Sequence, residues 1–285
     1  MLSEFREILP SDGAWIAPVL TASGRRTCEY SFTTAYMWSR HYGVRVARWG
    51  EIPVFRGERS FLLPVGDGWR DAVKHLYETE RPLRFHSVDE DGLRALQALF
   101  PGRVHAEESE DDFDYLYRTE DLATLPGKNY HGKRGHIAAF SRAHDWTFEQ
   151  LGADNRDEMV ALSRAWCEEK GGCDHSLADE ACAIRRVLRE PETFSLRGGM
   201  VRVEGRPVAF TLGSPISDKV FDIHVEKALS AFSGAYAVIN REFAATLTEY
   251  EFLNRENDMG LEGLRRAKRS YRPVEIVKKY YCEVV

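Results

Sequence analysis

The segment 219–226 constrains the fold most strongly, because its apolar and polar residues alternate strictly from Phe221 to Glu226. One side of an extended chain would be apolar and the other polar, in the order Phe221, Asp222, Ile223, His224, Val225, Glu226. Successive side chains of a strand point to opposite faces of a sheet, so a period of two predicts a β-strand. Its apolar face belongs on a core, and its polar face is either an ordinary solvated surface or a functional one.

The elements around this strand predict a unit of alternating helices and strands. In chain order they are a strand at 146–151, helices at 155–170 and 177–189, a hairpin of 193–203 and 207–213, the strand at 219–226, a helix at 234–247, a strand at 250–254, a helix from 261 and a β-rich end at 274–285. This order resembles the GNAT acyltransferase fold, whose substrate cleft opens where the fourth and fifth strands splay apart. The matching strands are 219–226 and 250–254.

The first half of the chain fits a diverged second copy of the same unit. Its predicted elements are a hairpin within 44–63 around Gly57, a helix at 69–78, a strand at 83–87, a helix at 91–100, a strand at 113–117 and a helix at 130–142. The predicted fold class is therefore α+β, with two tandem GNAT-like domains at 1–144 and 145–285. Each would be a mixed, mainly antiparallel sheet flanked by helices.

Composition favours a soluble protein with packed cores. Of the 285 residues 43 % are hydrophobic and 12 % aromatic, and no run approaches the roughly 20 apolar residues that span a bilayer. Residues 1–10 lack the features of a secretory signal, so we expect a cytoplasmic location.

The net charge of −6 argues against a surface that is uniformly basic for binding nucleic acid, yet basic residues gather at 128–142 and 265–279. The acidic run 107–114 is predicted to be a solvated loop.

The cysteines indicate neither a disulfide framework nor a structural metal. Their number, five, is odd for a framework and fits a reducing compartment. The group Cys167, Cys173, His175 and Cys182 does not have the paired spacing of structural zinc sites. No metal is predicted.

Two lysines interrupt apolar helix faces. Lys268 follows Leu261 and Leu264 at helical spacing, and Lys133 lies on the face of its helix formed by Tyr130, Ile137 and Phe140. Each ammonium either extends along the apolar surface to water or ends in a cleft, facing a carboxylate, a phosphate or a developing oxyanion. The helix of Lys133 also contains two glycines, at 132 and 135, which weaken it by about 1 kcal/mol each and suggest close approach of another chain or a ligand.

Several motifs make the resemblance more specific. They are Asp114–Tyr117, Leu125–Lys128, His131–Ile137, Gly234–Asn240 and Asn254–Gly260. Together they resemble a bacterial family related to the C-terminal domain of phosphatidylglycerol lysyltransferase over nearly the whole chain, and more distantly the Fem-type transferases that add amino acids to peptidoglycan precursors. Both relatives have tandem GNAT-like domains and use aminoacyl-tRNA as donor. The sequence departs from them in having no membrane-spanning segment and in carrying Gly135 where many relatives have asparagine.

The resemblance implies transfer of an aminoacyl group from aminoacyl-tRNA to a lipid, peptidoglycan-like or small-molecule acceptor. Such a reaction needs a proton acceptor and a group that stabilises the oxyanion. Candidates for the first are Asp222, His224, Glu226, Glu256 and Asp258, and for the second Lys268, Lys133 and Arg255. The predicted catalytic residues are Lys268, Asp258, Glu256 and Asp222. The predicted substrate-binding residues are Lys133, Arg134, Asn254, Arg255, His224 and Tyr271.

Two other functions stay open. CoA-dependent N-acetyl transfer would use backbone N–H groups before a helix to hold a pyrophosphate, which points to Gly234, Ala235 and Tyr236 as cofactor residues. The glycine is kept there, but an alanine, Ala231, stands at the basic start and Tyr236 at the last small position, so no cofactor is predicted and acetyl-CoA is the alternative donor. A non-catalytic protein that binds RNA, a nucleotide or a cell-wall ligand is the third possibility, with tyrosines such as Tyr271 stacking on bases.

Overall fold

The computed structural model describes residues 2–169 and 175–285, without the side chains of 175–179. In this part of the chain two mixed seven-stranded sheets are flanked by helices, which confirms the predicted α+β class and its two GNAT-like units. The strands are β1 (Arg6–Glu7), β2 (Arg45–Trp49), β3 (Ile52–Arg56), β4 (Phe61–Leu62), β5 (Leu83–Val88), β6 (Val104–Glu108), β7 (Asp114–Arg118), β8 (Trp146–Gln150), β9 (Arg197–Val203), β10 (Arg206–Pro215), β11 (Val220–Ala228), β12 (Phe252–Asn254), β13 (Glu275–Val277) and β14 (Tyr280–Val284).

Helices cover both sheets. They are α1 (Gly13–Ala22), α2 (Phe32–Trp38), α3 (Trp69–Thr79), α4 (Glu90–Leu99), α5 (Thr119–Thr124), α6 (His131–Ala143), α7 (Arg156–Glu169), α8 (His175–Leu188), α9 (Ala235–Ala245) and α10 (Glu262–Arg269). None of these helices, in the residues that the structure describes, has both the length and the hydropathy needed to cross a membrane.

The two sheets repeat one plan. The first has the order β1-β2-β3-β4-β5-β14-β6, and the second has the order β8-β9-β10-β11-β12-β7-β13. Within each sheet one pair of neighbours is parallel, β4 with β5 and β11 with β12, and the other neighbours are antiparallel. The second copy of the unit, invisible as a sequence repeat, is therefore present in the topology.

Each sheet also contains one strand from the other half of the chain. The C-terminal strand β14 lies between β5 and β6, and β7 lies between β12 and β13. The predicted segments 1–144 and 145–285 thus hold most, but not all, of one sheet each. This exchange ties the halves together and brings residues around 114 and 255 into one sheet.

Some predictions about local structure were wrong. Three helices, α1, α2 and α5, were not predicted, and the single hairpin around Gly57 is a three-stranded meander that also turns at Gly50. Leu261 does not face a core, because its side chain is 55 % exposed. The acidic run 107–114 is exposed at most positions, as predicted, but it is not all loop, because Glu107 and Glu108 end β6 and the buried Asp114 begins β7. Its Asp111 lies 2.7 Å from the guanidinium of Arg265. Cys173 and the side chain of His175 lie outside the described residues.

The polar face of β11 is buried. Asp222 is fully buried and His224 is 7 % exposed, because α2 packs over this face and brings the hydroxyl of Thr34 within 3.4 Å of both side chains. Phe221 and Ile223 face the core on the opposite side as predicted, but the register shift opposite Leu212 and Gly213 turns Val225 to the face of Asp222, where it belongs to one core cluster with Leu212 and Val220. A buried row of polar side chains needs partners within the protein.

Candidate functional site

The strands β11 and β12 separate as the GNAT-like topology predicts. They pair over three residues, Val220–Asp222 with Phe252–Asn254. Beyond this point β11 continues along β10, whose register shifts between Leu212 and Gly213, whereas the chain after Asn254 leaves the sheet. Polar side chains of β11 and of the chain after β12 meet across this gap.

Lys268 holds the loop that leaves β12. Its ammonium is hydrogen-bonded to the backbone carbonyl oxygens of Arg255, Glu256 and Asn257. An ammonium has three N–H groups, so these contacts use all of them. Burial, reinforced by the charge of Arg255, lowers the pKa of Lys268 to about 8. This ammonium was a candidate to stabilise an oxyanion, and each of its N–H groups instead has a backbone acceptor.

The held loop has an unusual backbone at Glu256. Its φ is 53°, in the left-handed region that side chains other than glycine rarely adopt. The side chain of Asn254 stabilises this conformation, because its Oδ1 accepts a hydrogen bond of 2.7 Å from the Glu256 N–H. Such conformations persist where the surrounding structure enforces them, and they concentrate at functional sites.

Glu256 points to a buried histidine. The Nδ1 of His224 lies 3.2 Å from Glu256 Oε1 and 3.3 Å from Asp222 Oδ2, and its Nε2 lies 2.8 Å from the hydroxyl of Ser214. Burial lowers the pKa of His224, but the two carboxylates outweigh it and raise the pKa to about 9. We call Asp222, His224 and Glu256 the histidine cluster. At neutral pH its imidazole is protonated.

The two carboxylates of the histidine cluster differ in environment. Burial and the charge of Glu256 raise the pKa of Asp222 to about 7, and the Oδ1 of Asp222 is buried with no hydrogen-bond partner in the described part of the chain. The Asp222 side chain is 0 % exposed, whereas that of Glu256 is 21 % exposed. Glu256 is therefore the carboxylate that a bound molecule can reach.

A second polar bridge crosses the gap nearby. Arg255 lies 2.8 Å from Glu226, which also accepts a hydrogen bond from the side chain of Asn240. The guanidinium carbon of Arg255 is 4.8 Å from the ring centroid of Tyr271. The Nη1 of Arg255 is buried and has no hydrogen-bond partner among the described residues.

Lys133 reaches the same ring from α6. Its ammonium is 3.7 Å from the centroid of Tyr271, and within the described ranges it makes no hydrogen bond or ion pair. Burial, followed by the positive charge of Arg255, lowers the pKa of Lys133 to about 8. A half-buried ammonium with free N–H groups is able to bind an anionic ligand.

Three other predicted residues are engaged in internal contacts. Asp258 accepts hydrogen bonds from Arg265 and from the Tyr115 hydroxyl. Burial opposes its ionisation, but these bonds outweigh that effect and lower the pKa of Asp258 to about 2, which makes it a weak base. The Nδ2 of Asn254 donates to Asp114 and to the carbonyl of residue 26. Arg134 donates to the carbonyl oxygens of residues 125 and 127.

The turn before α9 is covered by α6. Gly234 has a φ of 95°, and a Cβ at this position would lie 2.7 Å from the carbonyl oxygen of His136. Ala235 is fully buried, and the Tyr236 hydroxyl accepts a 3.0 Å hydrogen bond from the indole N–H of Trp166. The main chain of α6 therefore packs directly against Gly234.

Among the described residues, two groups of side chains have the composition of a metal site. The ligand atoms of the histidine cluster lie within 4.8 Å of one another, as do those of Cys28, Glu29 and Asp114. In the second group the buried ammonium of Lys279, 2.8 Å from Asp114 and 2.7 Å from Glu29, already supplies the positive charge. In the histidine cluster the imidazolium of His224 supplies the positive charge.

Sequence reasoning missed Ser214 and Thr34. Ser214 pairs with Asp222 across β10 and β11, so a polar residue at the end of the predicted hairpin was a signal for it. Thr34 lies on a helix that was not predicted.

A cavity of about 410 Å³ lies next to Ser214 and Thr34 in the sequence, since Thr33 and Pro215 are among the residues that line it. None of the predicted site residues lines this cavity.

Comparisons with known proteins agree with this architecture. A curated relative, an uncharacterised protein of Mycoplasmoides gallisepticum, is 20 % identical over 179 residues, and the match spans 62 % of this chain and 58 % of that protein. A crystal structure of a conserved protein of unknown function from Bacteroides thetaiotaomicron is 34 % identical, with 99 % of both chains covered and a TM-score of 0.92.

More distant solved structures share the fold. L-PGS from Bacillus licheniformis is 15 % identical, with 99 % of this chain and 94 % of that chain covered and a TM-score of 0.68. FemX is 10 % identical, with coverage of 99 % and 98 % and a TM-score of 0.63. The family model described as phosphatidylglycerol lysyltransferase, C-terminal, matches residues 21–283. This confirms the resemblance seen in the motifs, and the chain belongs to the family of phosphatidylglycerol lysyltransferase C-terminal domains.

Proposed function

We propose that this protein is an aminoacyltransferase that moves an aminoacyl group from aminoacyl-tRNA to an amine or hydroxyl of a lipid, peptidoglycan-like or small-molecule acceptor. Membership of the family supports the class of reaction. One observation carries the choice of donor: α6 covers Gly234, where the pyrophosphate of acetyl-CoA would need open backbone N–H groups. A donor whose reactive end enters between the splayed strands does not need that turn.

The reaction exchanges one acyl bond for another. The acceptor nitrogen or oxygen bonds to the ester carbonyl carbon, and after the tetrahedral intermediate the bond to the ribose oxygen of tRNA breaks. The acceptor loses one proton, and the ribose oxygen gains one. Glu256 is the proposed proton acceptor, because its carboxylate is the part of the histidine cluster that reaches solvent.

The residues behind Glu256 are proposed to position it. His224 fixes the carboxylate by a 3.2 Å contact, with Asp222 and Ser214 orienting the imidazole in turn. Lys268 and Asn254 hold the loop conformation that presents Glu256. These five are positioning residues, since they act through Glu256 rather than on the substrate.

Lys133 and Arg255 are proposed to contact the anionic parts of the reactants. The N–H groups of Lys133 and the Nη1 of Arg255 have no acceptor in the described residues, and both side chains adjoin Tyr271. They suit the developing oxyanion or a phosphate of a substrate. Electrostatic stabilisation of this kind is effective in a partly buried site.

Radiolabelled aminoacyl-tRNAs test the proposal, presented one amino acid at a time with phosphatidylglycerol vesicles, a peptidoglycan precursor or small amines as acceptors. We expect labelled product with at least one donor, and a loss of about a hundredfold or more for Glu256→Gln. Labelled acetyl-CoA serves as the parallel donor. Consumption of acetyl-CoA without use of any aminoacyl-tRNA would overturn the proposal, and binding of RNA or cell-wall ligand with no donor consumed would favour a binding protein.

A further inference from the structure

The outer face of α6 carries positive charge that no carboxylate of the described residues neutralises. Residues 127–144 contain four lysines and arginines and no aspartate or glutamate, in a chain of net charge −6. Lys128 and Arg142 are exposed, and neither forms an ion pair with any described residue. They lie near opposite ends of α6, roughly 20 Å apart along the helix.

The other basic helix differs in this respect. On α10 the side chains of Arg265, Arg266 and Arg269 all lie within 4.0 Å of carboxylates, including Asp258 at 2.8 Å and Asp111 at 2.7 Å. Carboxylates of the acidic run and of the helix itself thus balance the charge of α10. The charge of α6 is left for a partner outside the described chain.

The shape of α6 admits a close partner. A Cβ at Gly132 or Gly135 would meet no atom within 4 Å, so the glycines do not serve packing against another segment of this chain. Without side chains at these positions, a ridge of phosphates can come nearer to the helix axis than an ordinary helix surface allows. The remaining exposed residues on this face include the small Ala138 and Ala139.

We infer that the exposed face of α6 docks the phosphate backbone of the donor RNA, with Lys128 and Arg142 contacting phosphates and the two glycines allowing close approach. This inference rests on the proposed function, because it assigns a place to the tRNA donor. Phosphate contacts by lysine and arginine supply most of the affinity of sequence-independent RNA binding. The same helix presents Lys133 to the site on its inner face, so docked RNA would lie beside the splayed strands.

A membrane surface fits this face less well than RNA does. Helices that lie on membranes combine basic residues with large apolar side chains that enter the lipid. The exposed face of α6 offers glycine and alanine instead. A basic helix face without large apolar side chains favours a partner that presents phosphates, such as RNA.

Charge reversal on α6 tests the inference. The probe is an RNA hairpin that ends in the CCA sequence of tRNA, and binding is measured over a series of salt concentrations. We expect Lys128→Glu/Arg142→Glu to weaken binding by about tenfold or more and to reduce the slope of log Kd against log salt by about 2. The matched control, Lys74→Glu/Arg94→Glu, makes the same charge change at exposed positions on α3 and α4 and should bind like the wild type.

A second pair of variants tests close approach without altering charge. Gly135→Leu should weaken RNA binding severalfold, and Gly263→Leu on α10, an equally open position, should not. Both substitutions favour the helix, so loss of fold does not explain a defect.

Equal RNA binding by the wild type and both α6 variants would overturn the inference and leave the donor proposal standing. No RNA binding by any protein, with acetyl-CoA consumed, would overturn both. Loss of binding to anionic vesicles with RNA binding unchanged would assign the face to a membrane.

Discussion

Lys133 and Lys268 look alike in the sequence and differ in the structure. Each lysine interrupts an apolar helix face, and burial lowers the pKa of each to about 8. Lys268 donates to three backbone carbonyls of the loop after β12, whereas Lys133 rests on the ring of Tyr271 with no acceptor for its N–H groups among the described residues. Lys268 is buried and Lys133 is half-buried, but the clearest difference between them is in the partner atoms of their ammonium groups.

The difference assigns the lysines to separate tasks. An ammonium whose donors are all used stabilises the structure that it holds, and its removal leaves buried carbonyls unsatisfied. An ammonium with free donors costs stability, because it is half buried without compensation, and such a cost is retained where a ligand completes the contacts. Lys268 is therefore a positioning residue for Glu256, and Lys133 is the candidate for contact with substrate.

Removing Lys268 should have the largest effect on stability. Lys268→Met leaves the carbonyls of the loop without a donor, and we expect the free energy of unfolding to fall by about 3 kcal/mol. Urea denaturation followed by circular dichroism measures this. The matched variant Lys133→Met should stay within about 0.5 kcal/mol of the wild type or become more stable. Equal destabilisation by the two variants would contradict the comparison.

Removing Lys133 should affect turnover instead. In the transfer assay Lys133→Met should lose activity on the order of a hundredfold, because an oxyanion or phosphate loses its donor. Steady-state kinetics across acceptor and donor concentrations separate an effect on kcat from one on KM. Lys133→Arg keeps the charge and should retain more activity than Lys133→Met. Wild-type rates for Lys133→Met would remove Lys133 from the site.

The pH dependence of stability distinguishes the lysines from His224. The pKa of His224 is about 9 in the folded protein and 6.5 ordinarily, so its contribution is complete below about pH 6.5 and is lost as pH rises through 9. The lysines act in the opposite direction. Their pKa values near 8 lie below the ordinary 10.5, so the free energy of unfolding rises as the pH rises from about 8 to 10.5. The stability difference between wild type and His224→Gln should therefore shrink from pH 6.5 to 9 in denaturation experiments. A constant difference would show that His224 does not titrate in this range.

The sequence predicted the second half of the fold better than the way the halves combine. Strands β11 and β12 and helix α9 follow from local patterns within single segments, since periodicity reports which side of an element is buried. The exchange of β7 and β14 cannot be predicted in this way, because the sequence pattern of each strand is compatible with either sheet. Helix α2 was missed as well, and with it the reason that the polar face of β11 is buried.

The candidate site was predicted as a set of residues but not as contacts. Asp222, His224 and Glu256 were all named, and they come together in one cluster. Their separation in the chain gave no distances, so Asp258 looked equivalent to Glu256 until Arg265 and Tyr115 were found beside it. Spacing shows which residues share a face, whereas the partner of a charged group depends on tertiary packing.

The ring of Tyr271 offers the finest test of the comparison, because it contacts Lys133 and Arg255 but not the ammonium of Lys268 in the described structure. A cation over an aromatic face gains about 0.5–2 kcal/mol. Tyr271→Leu should therefore weaken activity by about tenfold, mainly through KM if the two cations bind a substrate anion in the ground state. Tyr271→Phe keeps the ring and should match the wild type in the same assay. An equally large loss of activity in Tyr271→Phe and Tyr271→Leu would contradict this prediction. It would show that the site depends on the hydroxyl of Tyr271 and not on its aromatic ring.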